Sequence, residues 1–355
     1  MASKKWILAA HGSPETLQCI PGLDVKTTPC PPTAVLVRVL TTTATYTDLL
    51  ICEGNYRPSP PLPLTPGYDC IGVVEEVGVS VPAGILAIGD RVAAMPQASC
   101  MSTHVYLPYH AVYKVPAGDP CQQVCAIRTG VTAYQMLHRC CKSRLASPGS
   151  GVRLLIHSAA GATGGLLVAI ALAAGIPANC IYGTCSARNL PALTALGVNG
   201  LDYNDASKDW CQTIVAAGGV EIVFDAVTMN GYFEKSFRCL KAGGKYVSYG
   251  FTDTKKPGTL SIPSVLWFFA RLSFQQYLTS WFDGGKEAQF YIISEQRDSR
   301  PDEFSEDLAA VLDLMASGRV TPTIGKVWEF SECKEALMAI YNNATTGVQC
   351  IKVYS

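Results

Sequence analysis

From about residue 126 onward, short apolar runs alternate with stretches of helical period. Leu154–His157, Ile181–Thr184, Ile222–Asp225 and Lys245–Tyr249 read as strands, and residues 164–175, 189–196 and 231–240 read as helices between them. Short apolar strands alternating with helices predict a parallel sheet covered on both faces, a doubly wound α/β domain. The first third has a different pattern. Val35–Leu40 and Ile71–Val77 read as strands, Pro58–Pro66 as a proline-rich loop, and Gly89-Asp90-Arg91-Val92 as a turn entering a strand. No helical period is visible there before about residue 120. In the tail, Leu308, Val311, Leu312 and Met315 share one helical face, and Cys333, Leu337, Ile340 and Tyr341 share another. Ser305 and Ser331 are the expected N-caps of these two helices, because acidic residues follow each. Gln349–Tyr354 closes the chain as a strand.

Composition narrows the class. The 355 residues suit two domains, and 48% apolar with 16% charged residues supports a large core. Lys+Arg and Asp+Glu are both 28, and no basic block exceeds a pair, so a nucleic-acid partner is not expected. The apolar run Trp6–Ala10 is too short for a signal peptide, and Leu166–Ile176 is short of the roughly 20 residues that span a bilayer. The expectation is a cytoplasmic protein with no integral membrane segment. The 15 cysteines are scattered, with no Cys-x-x-Cys pair, and read as thiols of the interior. Metal binding or reactivity at Cys140-Cys141 or Cys121/Cys125 is the less favoured reading.

The chemistry concentrates after the strand at 154–157. Ser158-Ala159-Ala160-Gly161-Ala162-Thr163-Gly164-Gly165 leads into a helix and matches a dinucleotide fingerprint, with Ala159 in the first glycine place. Gly161 lets the backbone approach a pyrophosphate, Gly164 lets helix pack on strand, and the helix N-terminus offers N–H groups. A packing turn without nucleotide is the competing reading. The second strand ends in Gly183-Thr184-Cys185-Ser186-Ala187-Arg188, where an NAD site usually places an acid. Here Ser186 can donate to a 2′-phosphate and Arg188 can pair with it, so NADPH is the expected cofactor. Arg188 could instead be a solvated surface residue. His157 reads as a satisfied structural histidine.

Gly67-Tyr68-Asp69-Cys70-Ile71-Gly72-Val73-Val74-Glu75-Glu76-Val77-Gly78, then Gly89-Asp90-Arg91-Val92, then the glycine turn, resemble the medium-chain dehydrogenase/reductase superfamily. The resemblance runs along nearly the whole chain and is closest to the zinc-free quinone oxidoreductase branch. Tyr46-Thr47-Asp48-Leu49-Leu50, Leu62–Gly67 and Tyr246–Gly250 are similar to the vesicle amine transport protein subgroup. Cys185–Asn189 is similar to fungal enoyl reductases. The resemblance implies a GroES-like β-rich catalytic domain over residues 1–125 and 300–355. A Rossmann domain holding NADPH over residues 126–299 would be inserted in it, and the substrate cleft would lie between the two. A homodimer is also implied. Zinc-dependent members carry Cys and His-Glu ligands where this chain has Thr45, Tyr68 and Asp69, so no metal is expected.

Hydride transfer to an electron-poor double bond is then the simpler chemistry. The substrate would be a small apolar conjugated carbonyl (enone, enal or enoyl) or a quinone, and one reading places the reaction in a specialised biosynthetic pathway. Tyr56, in Glu53-Gly54-Asn55-Tyr56, is similar to the tyrosine acid of mitochondrial enoyl thioester reductases, though it could merely pack over a loop. Thr132 matches the family position beside the nicotinamide, and an N-cap role is also open to it. Tyr46 is a weaker catalytic candidate. Ala159, Gly161, Ala162, Thr163, Gly164, Ser186, Arg188, Tyr203, Tyr249 and Gly250 make up the expected cofactor set. The turn departs from the family's usual Gly-Gly-Val-Gly at Ala162 and Thr163, and Cys100–His104 departs along one cleft wall. The aromatic stretch 262–293 reads equally as a lid with a subunit interface or as core. A nucleotide-binding protein of the same fold with little turnover remains the alternative.

Overall fold

The computed structural model describes residues 3–25, 27–56, 58–145, 151–251, 262–282 and 284–354. Its centre is a six-stranded, wholly parallel sheet. The strand order is Asn199–Asp202, Ile181–Cys185, Leu154–Ile156, Val220–Asp225, Leu240–Ser248, Glu287–Phe290. Chain order reverses between Leu154–Ile156 and Val220–Asp225, and an open α/β sheet gathers its ligands at the carboxyl ends beside such a switch point. The strands are nearly all apolar because helices cover both faces. Ile156, Ile222, Phe224 and Val247 belong to one buried cluster, and Leu155, Val223 and Tyr246 to another on the opposite face.

The helix Ala162–Ala173 lies between the sheet and the segment Val131–Gln135, which explains its lack of a polar face. Leu166, Leu167, Val168, Ile170 and Ala171 are all buried. The helical stretches expected at 164–175, 189–196 and 231–240 occur at Ala162–Ala173, Leu190–Ala195 and Tyr232–Cys239.

A seven-stranded sheet joins both ends of the chain. Its path runs Ile324–Glu329, Val348–Lys352, Ala34–Ala44, Cys70–Val77, Arg91–Ala94, Val112–Lys114, with His104–Pro108 paired to Ala34–Ala44. Lys4–Ile7 and Gln18–Pro21 form a separate antiparallel pair. Ala34–Ala44 is buried along most of its length because it carries neighbours on both edges.

Four local expectations are corrected. The N-terminal third does contain a helix, Tyr46–Cys52, too short to show a period; Thr45 and Asp48 close a reciprocal capping box at its start. Ser305 caps nothing, because Pro301 opens the helix Pro301–Ala316 a turn earlier. Ser331 lies inside the 3-10 turn Phe330–Glu332, which Glu329 and Glu332 cap instead. Thr132 is not an N-cap, because helix runs through it: Pro120–Cys125, the π turn Ala126–Gly130, then Val131–Gln135.

The aromatic stretch divides by face. In the helix Ile262–Phe282, Phe268 and Leu272 are buried, while Leu266, Trp267 and Phe274 are exposed. All 15 cysteines are thiols. Among the described residues, no helix is long and apolar enough to cross a membrane.

Candidate active site

The phosphate turn forms as its residue types require. Ser158 turns at φ 55°, Ala159 N–H donates to the Thr184 carbonyl at 3.0 Å, and Gly161 N–H donates to the Ser158 carbonyl at 2.8 Å. A Cβ at Gly164 would overlap the Ser158 carbonyl oxygen, so only glycine lets the helix sit this close to the turn. Gly161 begins the helix in extended conformation with no side-chain cap, leaving the first-turn N–H groups to a ligand. Ala159 fills the first glycine place because its partner is itself a glycine: a Cβ on Gly183 would come within 2.7 Å of Ala159 Cβ. Ala162 and Thr163 are the first residues of the helix.

The neighbouring strand ends complete this edge. Asp225, fully buried, accepts from Val227 N at 2.7 Å, Thr228 N at 2.9 Å and Tyr246 Oη at 2.9 Å. Thr228 Oγ1 lies 2.6 Å from Ser248 Oγ and donates to the Gly250 carbonyl at 2.8 Å. These bonds fix the backbone at Tyr249-Gly250. Tyr249 Oη is buried and has no hydrogen-bond partner, and burial pushes its phenol pKa up. An orphaned hydroxyl of this kind at a dinucleotide edge fits a missing polar ligand.

At the second strand, Ser186 Oγ accepts from Asn189 Nδ2 at 3.2 Å, and Thr346 Oγ1 donates to Asn189 Oδ1 at 3.2 Å. Arg188 is exposed, yet its Nη2 donates to the Asn343 and Thr345 carbonyls at 2.8 and 3.3 Å. The tail also meets the glycine turn, since Gly347 N–H donates to the Ala160 carbonyl at 3.2 Å. Thus residues 343–347 lie against both phosphate-side turns, a contact no local sequence signal announces. Tyr203 N–H donates to the Cys185 carbonyl at 3.1 Å, placing Tyr203 beside the same strand end. His157 is fully buried between Thr184 and Ser236, each 2.9 Å from a ring nitrogen, and burial lowers its pKa; it is a structural residue.

The second half of the site lies in the β-rich region. Tyr56 Oη and Tyr68 Oη are 2.9 Å apart. Tyr68 is buried and also bonds Ser294 by side chain; burial, with Tyr56 alongside, pushes its pKa far up. Two buried carboxyls stand close by. Asp48 accepts from Thr45 N at 3.0 Å, Thr45 Oγ1 at 2.6 Å and Gly67 N at 3.0 Å, and burial still raises its pKa to about 6. Asp69 accepts from Thr43 Oγ1 at 2.5 Å and is likewise raised by burial. The Arg128 guanidinium lies 5.9 Å from the Tyr68 ring centre, and its charge acts on both carboxyls. Thr45, Tyr68 and Asp69, the places of zinc ligands in zinc-dependent members, are thus occupied by a cap, a phenol pair and a buried acid. Among the described residues, no group of three His, Cys, Asp or Glu side chains is placed to hold a metal ion.

Thr132 links the halves. It is buried in Val131–Gln135 and bonds Tyr291, whose hydroxyl donates to Gln135 Oε1 at 2.6 Å. Gln135 Nε2 in turn donates to Asp307 Oδ2 at 2.6 Å, and Arg139 clamps the same carboxylate with contacts of 2.6 and 2.9 Å. Tyr46 begins the helix Tyr46–Cys52 and packs against the central core. Sequence reasoning missed Tyr68, Arg128, Tyr291 and Asp225 as site residues. Only Asp225 carried a local signal, an acid ending an apolar strand.

A parallel sheet with a glycine turn at its switch point, beside a β-rich sheet built from both the first third and the tail, is the architecture of a two-domain dinucleotide dehydrogenase. Sequence comparison agrees. Residues 31–137 match the alcohol dehydrogenase GroES-like domain, and residues 196–347 match the zinc-binding dehydrogenase model. The chain belongs to the medium-chain dehydrogenase/reductase superfamily, in its zinc-independent quinone-oxidoreductase and VAT-1-like branch. The mouse synaptic vesicle membrane protein VAT-1 homolog-like is 26% identical over 358 residues, covering 96% of this chain and 79% of that protein. The bovine quinone oxidoreductase-like protein 2 is 28% identical over 330 residues, covering 91% and 86%. The Escherichia coli quinone oxidoreductase, solved in complex with NADPH, shares the fold at a TM-score of 0.79 and 21% identity, covering 99% of this chain and 100% of that one.

Proposed function

We propose that this chain is an NADPH-dependent reductase of conjugated carbonyls (enones, enals or enoyl compounds) or quinones, acting without a metal. The observation that carries the reading is the Tyr56–Tyr68 hydroxyl pair, which would serve as the proton source for a substrate beside the nicotinamide. The cofactor would lie with its pyrophosphate over Gly161-Ala162-Thr163-Gly164, beside Ala159, and its adenosine end toward Ser186, Arg188 and Tyr203. Tyr249, Gly250 and Thr132 would flank the nicotinamide. The fold is shared with a quinone oxidoreductase that holds NADPH. When bound, the reduced nicotinamide supplies a hydride.

The protein's residues do the rest. Asn189 already donates to Ser186 Oγ, which leaves the Ser186 proton to a 2′-phosphate. The carbonyls of Asn343 and Thr345 hold Arg188 beside it. Thr132, buttressed by Tyr291 and Gln135, fixes the inner wall. Tyr56 donates a proton to the substrate carbon, and Tyr68 with Ser294 restores it. The 15 thiols suit a reducing, cytoplasmic setting. The exposed Leu266, Trp267 and Phe274 suit a contact between two copies of the chain.

A screen of NADPH consumption over enones, enals, enoyl thioesters and quinones tests the reading. Turnover with one class supports it. Tight NADPH binding with no consumption across all classes would make the chain a nucleotide-binding protein instead.

A further inference from the structure

Arg128 has no place in the chemistry so far, yet the structure holds it inside the site. It sits in the π turn Ala126–Gly130, one turn ahead of Thr132 on the same continuous helix, and π turns in helices mark functional positions often. Its guanidinium lies over the Tyr68 ring, whose hydroxyl meets Tyr56. The residue is half-buried, and its Nε is fully buried with no hydrogen-bond partner. Among the described residues, no carboxylate comes within 4.0 Å of it to form an ion pair. Asp48 and Asp69 attract its charge, and Asp69 also accepts a hydrogen bond from the Arg128 backbone N–H, but the other bonds to these carboxyls come from Thr45, Gly67 and Thr43 and none from the guanidinium. A buried N–H left without a partner is costly, so its donor capacity is available to a ligand. A guanidinium is permanently charged, and its planar fork of donors suits an oxyanion.

We infer that Arg128 is a catalytic residue that binds the substrate's carbonyl oxygen as negative charge develops on it. This rests on the reductase reading above and deepens it, by assigning the oxyanion site to one cation. The electron balance is simple. Hydride adds to the β-carbon, the carbon–carbon π pair shifts toward the carbonyl, and an enolate forms with its charge on oxygen. Arg128 holds that oxygen. The Tyr56 proton then goes to the α-carbon, completing the two-electron reduction, and the Tyr56 phenolate is reprotonated through Tyr68 and Ser294. In a quinone the same oxygen becomes a hydroquinone oxygen and takes the proton itself. The cation and the acid are therefore adjacent by design of the fold: Arg128 rides on the ring of the residue that feeds Tyr56.

The test uses the full chain and two readouts. The first is NADPH consumption with the best substrate class, comparing wild type with Arg128→Ala and Arg128→Lys. Removal of one oxyanion donor in an enzyme lowers kcat about 10²–10³-fold. We expect a fall of about that size in Arg128→Ala, partial retention in Arg128→Lys, and partial rescue of Arg128→Ala by added ethylguanidinium, with NADPH affinity within about twofold. The second readout needs no turnover. 1,3-Cyclohexanedione is an enolate at neutral pH, and its binding to the NADP+ complex should weaken more than about tenfold in Arg128→Ala. Binding of neutral cyclohexanone should be unchanged. A purely structural arginine would weaken both ligands alike, or neither. Unchanged enolate affinity in a folded Arg128→Ala protein would overturn the assignment. Wild-type protein that consumes no NADPH yet binds the enolate through Arg128 would overturn the reductase reading and leave the oxyanion site standing.

Discussion

The hydroxyls of Tyr56 and Tyr68 lie 2.9 Å apart, one ring edge-on to the other at 84° with centroids 6.1 Å apart. The pair is asymmetric. Tyr68 is buried and its pKa is pushed far up, so it stays protonated and cannot be the group that ends as phenolate. Tyr56 is the half-buried member. Tyr56→Phe is expected to lower kcat by about 10²–10⁴-fold with NADPH affinity kept, the range general acid catalysis supplies. Tyr68→Phe removes only the feeding bond, so the loss should be smaller, on the order of tenfold. Steady-state kinetics beside a fluorescence titration of NADPH separates the two. Equal losses in both variants would mean that the pair acts as a structural unit.

Tyr56 could be singled out in the sequence because its signal is local: Gly54-Asn55-Tyr56 resembles a known acid segment. Tyr68 and Arg128 could not, because their roles arise from contact among residues 56, 68, 128 and 294, which only the fold brings together. In the sequence, Tyr68 registers only as a missing metal ligand. The parallel sheet and glycine turn were legible for the opposite reason. Buried strands between helices must be continuously apolar, and the close approach at Gly164 leaves no residue choice but glycine. The capping expectations at Ser305 and Ser331 failed where a stronger local device, Pro301 or the Glu329–Glu332 box, set the helix start.

Gly164→Ala tests the phosphate turn. The new Cβ would press on the Ser158 carbonyl oxygen, which is backbone and cannot swing aside. The helix Ala162–Ala173 must then move off the strand. A destabilisation of about 1–3 kcal/mol is expected, as for overpacking in a core. NADPH affinity should fall at least about tenfold, because the first-turn N–H groups move with the helix. Chemical denaturation and fluorescence titration measure the two effects, and an unchanged affinity would argue against phosphate binding at this turn.

Arg188 joins the cofactor question to the tail. Its Nη2 is held by the carbonyls of Asn343 and Thr345, so the tail loop sets where the guanidinium points. Arg188→Ala should weaken NADPH more than NADH, by about tenfold in their ratio, since a charge-assisted bond to a phosphate is worth about 1.5–3 kcal/mol. Stability should change little, because the residue is exposed. A preference unchanged in the variant would leave Arg188 as a tether for the tail and nothing more.

Asp48 gives the fold a pH signature. Burial raises its carboxyl from the usual 3.8 to about 6, against the opposing bonds from Thr45 and Gly67. The folded chain then binds a proton in the window between these values that the unfolded chain has released. Stability from this group is therefore greatest below about pH 4, falls as pH rises through the window, and is flat above about pH 6. At about 1.4 kcal/mol per pKa unit the fall is on the order of 3 kcal/mol, and Asp69, also raised by burial, adds in the same direction. Asp48→Asn cannot titrate. Urea denaturation at about pH 4.5, 6 and 7.5, inside and above that window, should show the variant's midpoint declining less than the wild type's over the lower interval, with parallel behaviour above it. Identical profiles would mean that the three donors around Asp48 outweigh its burial and keep the carboxylate ionised throughout.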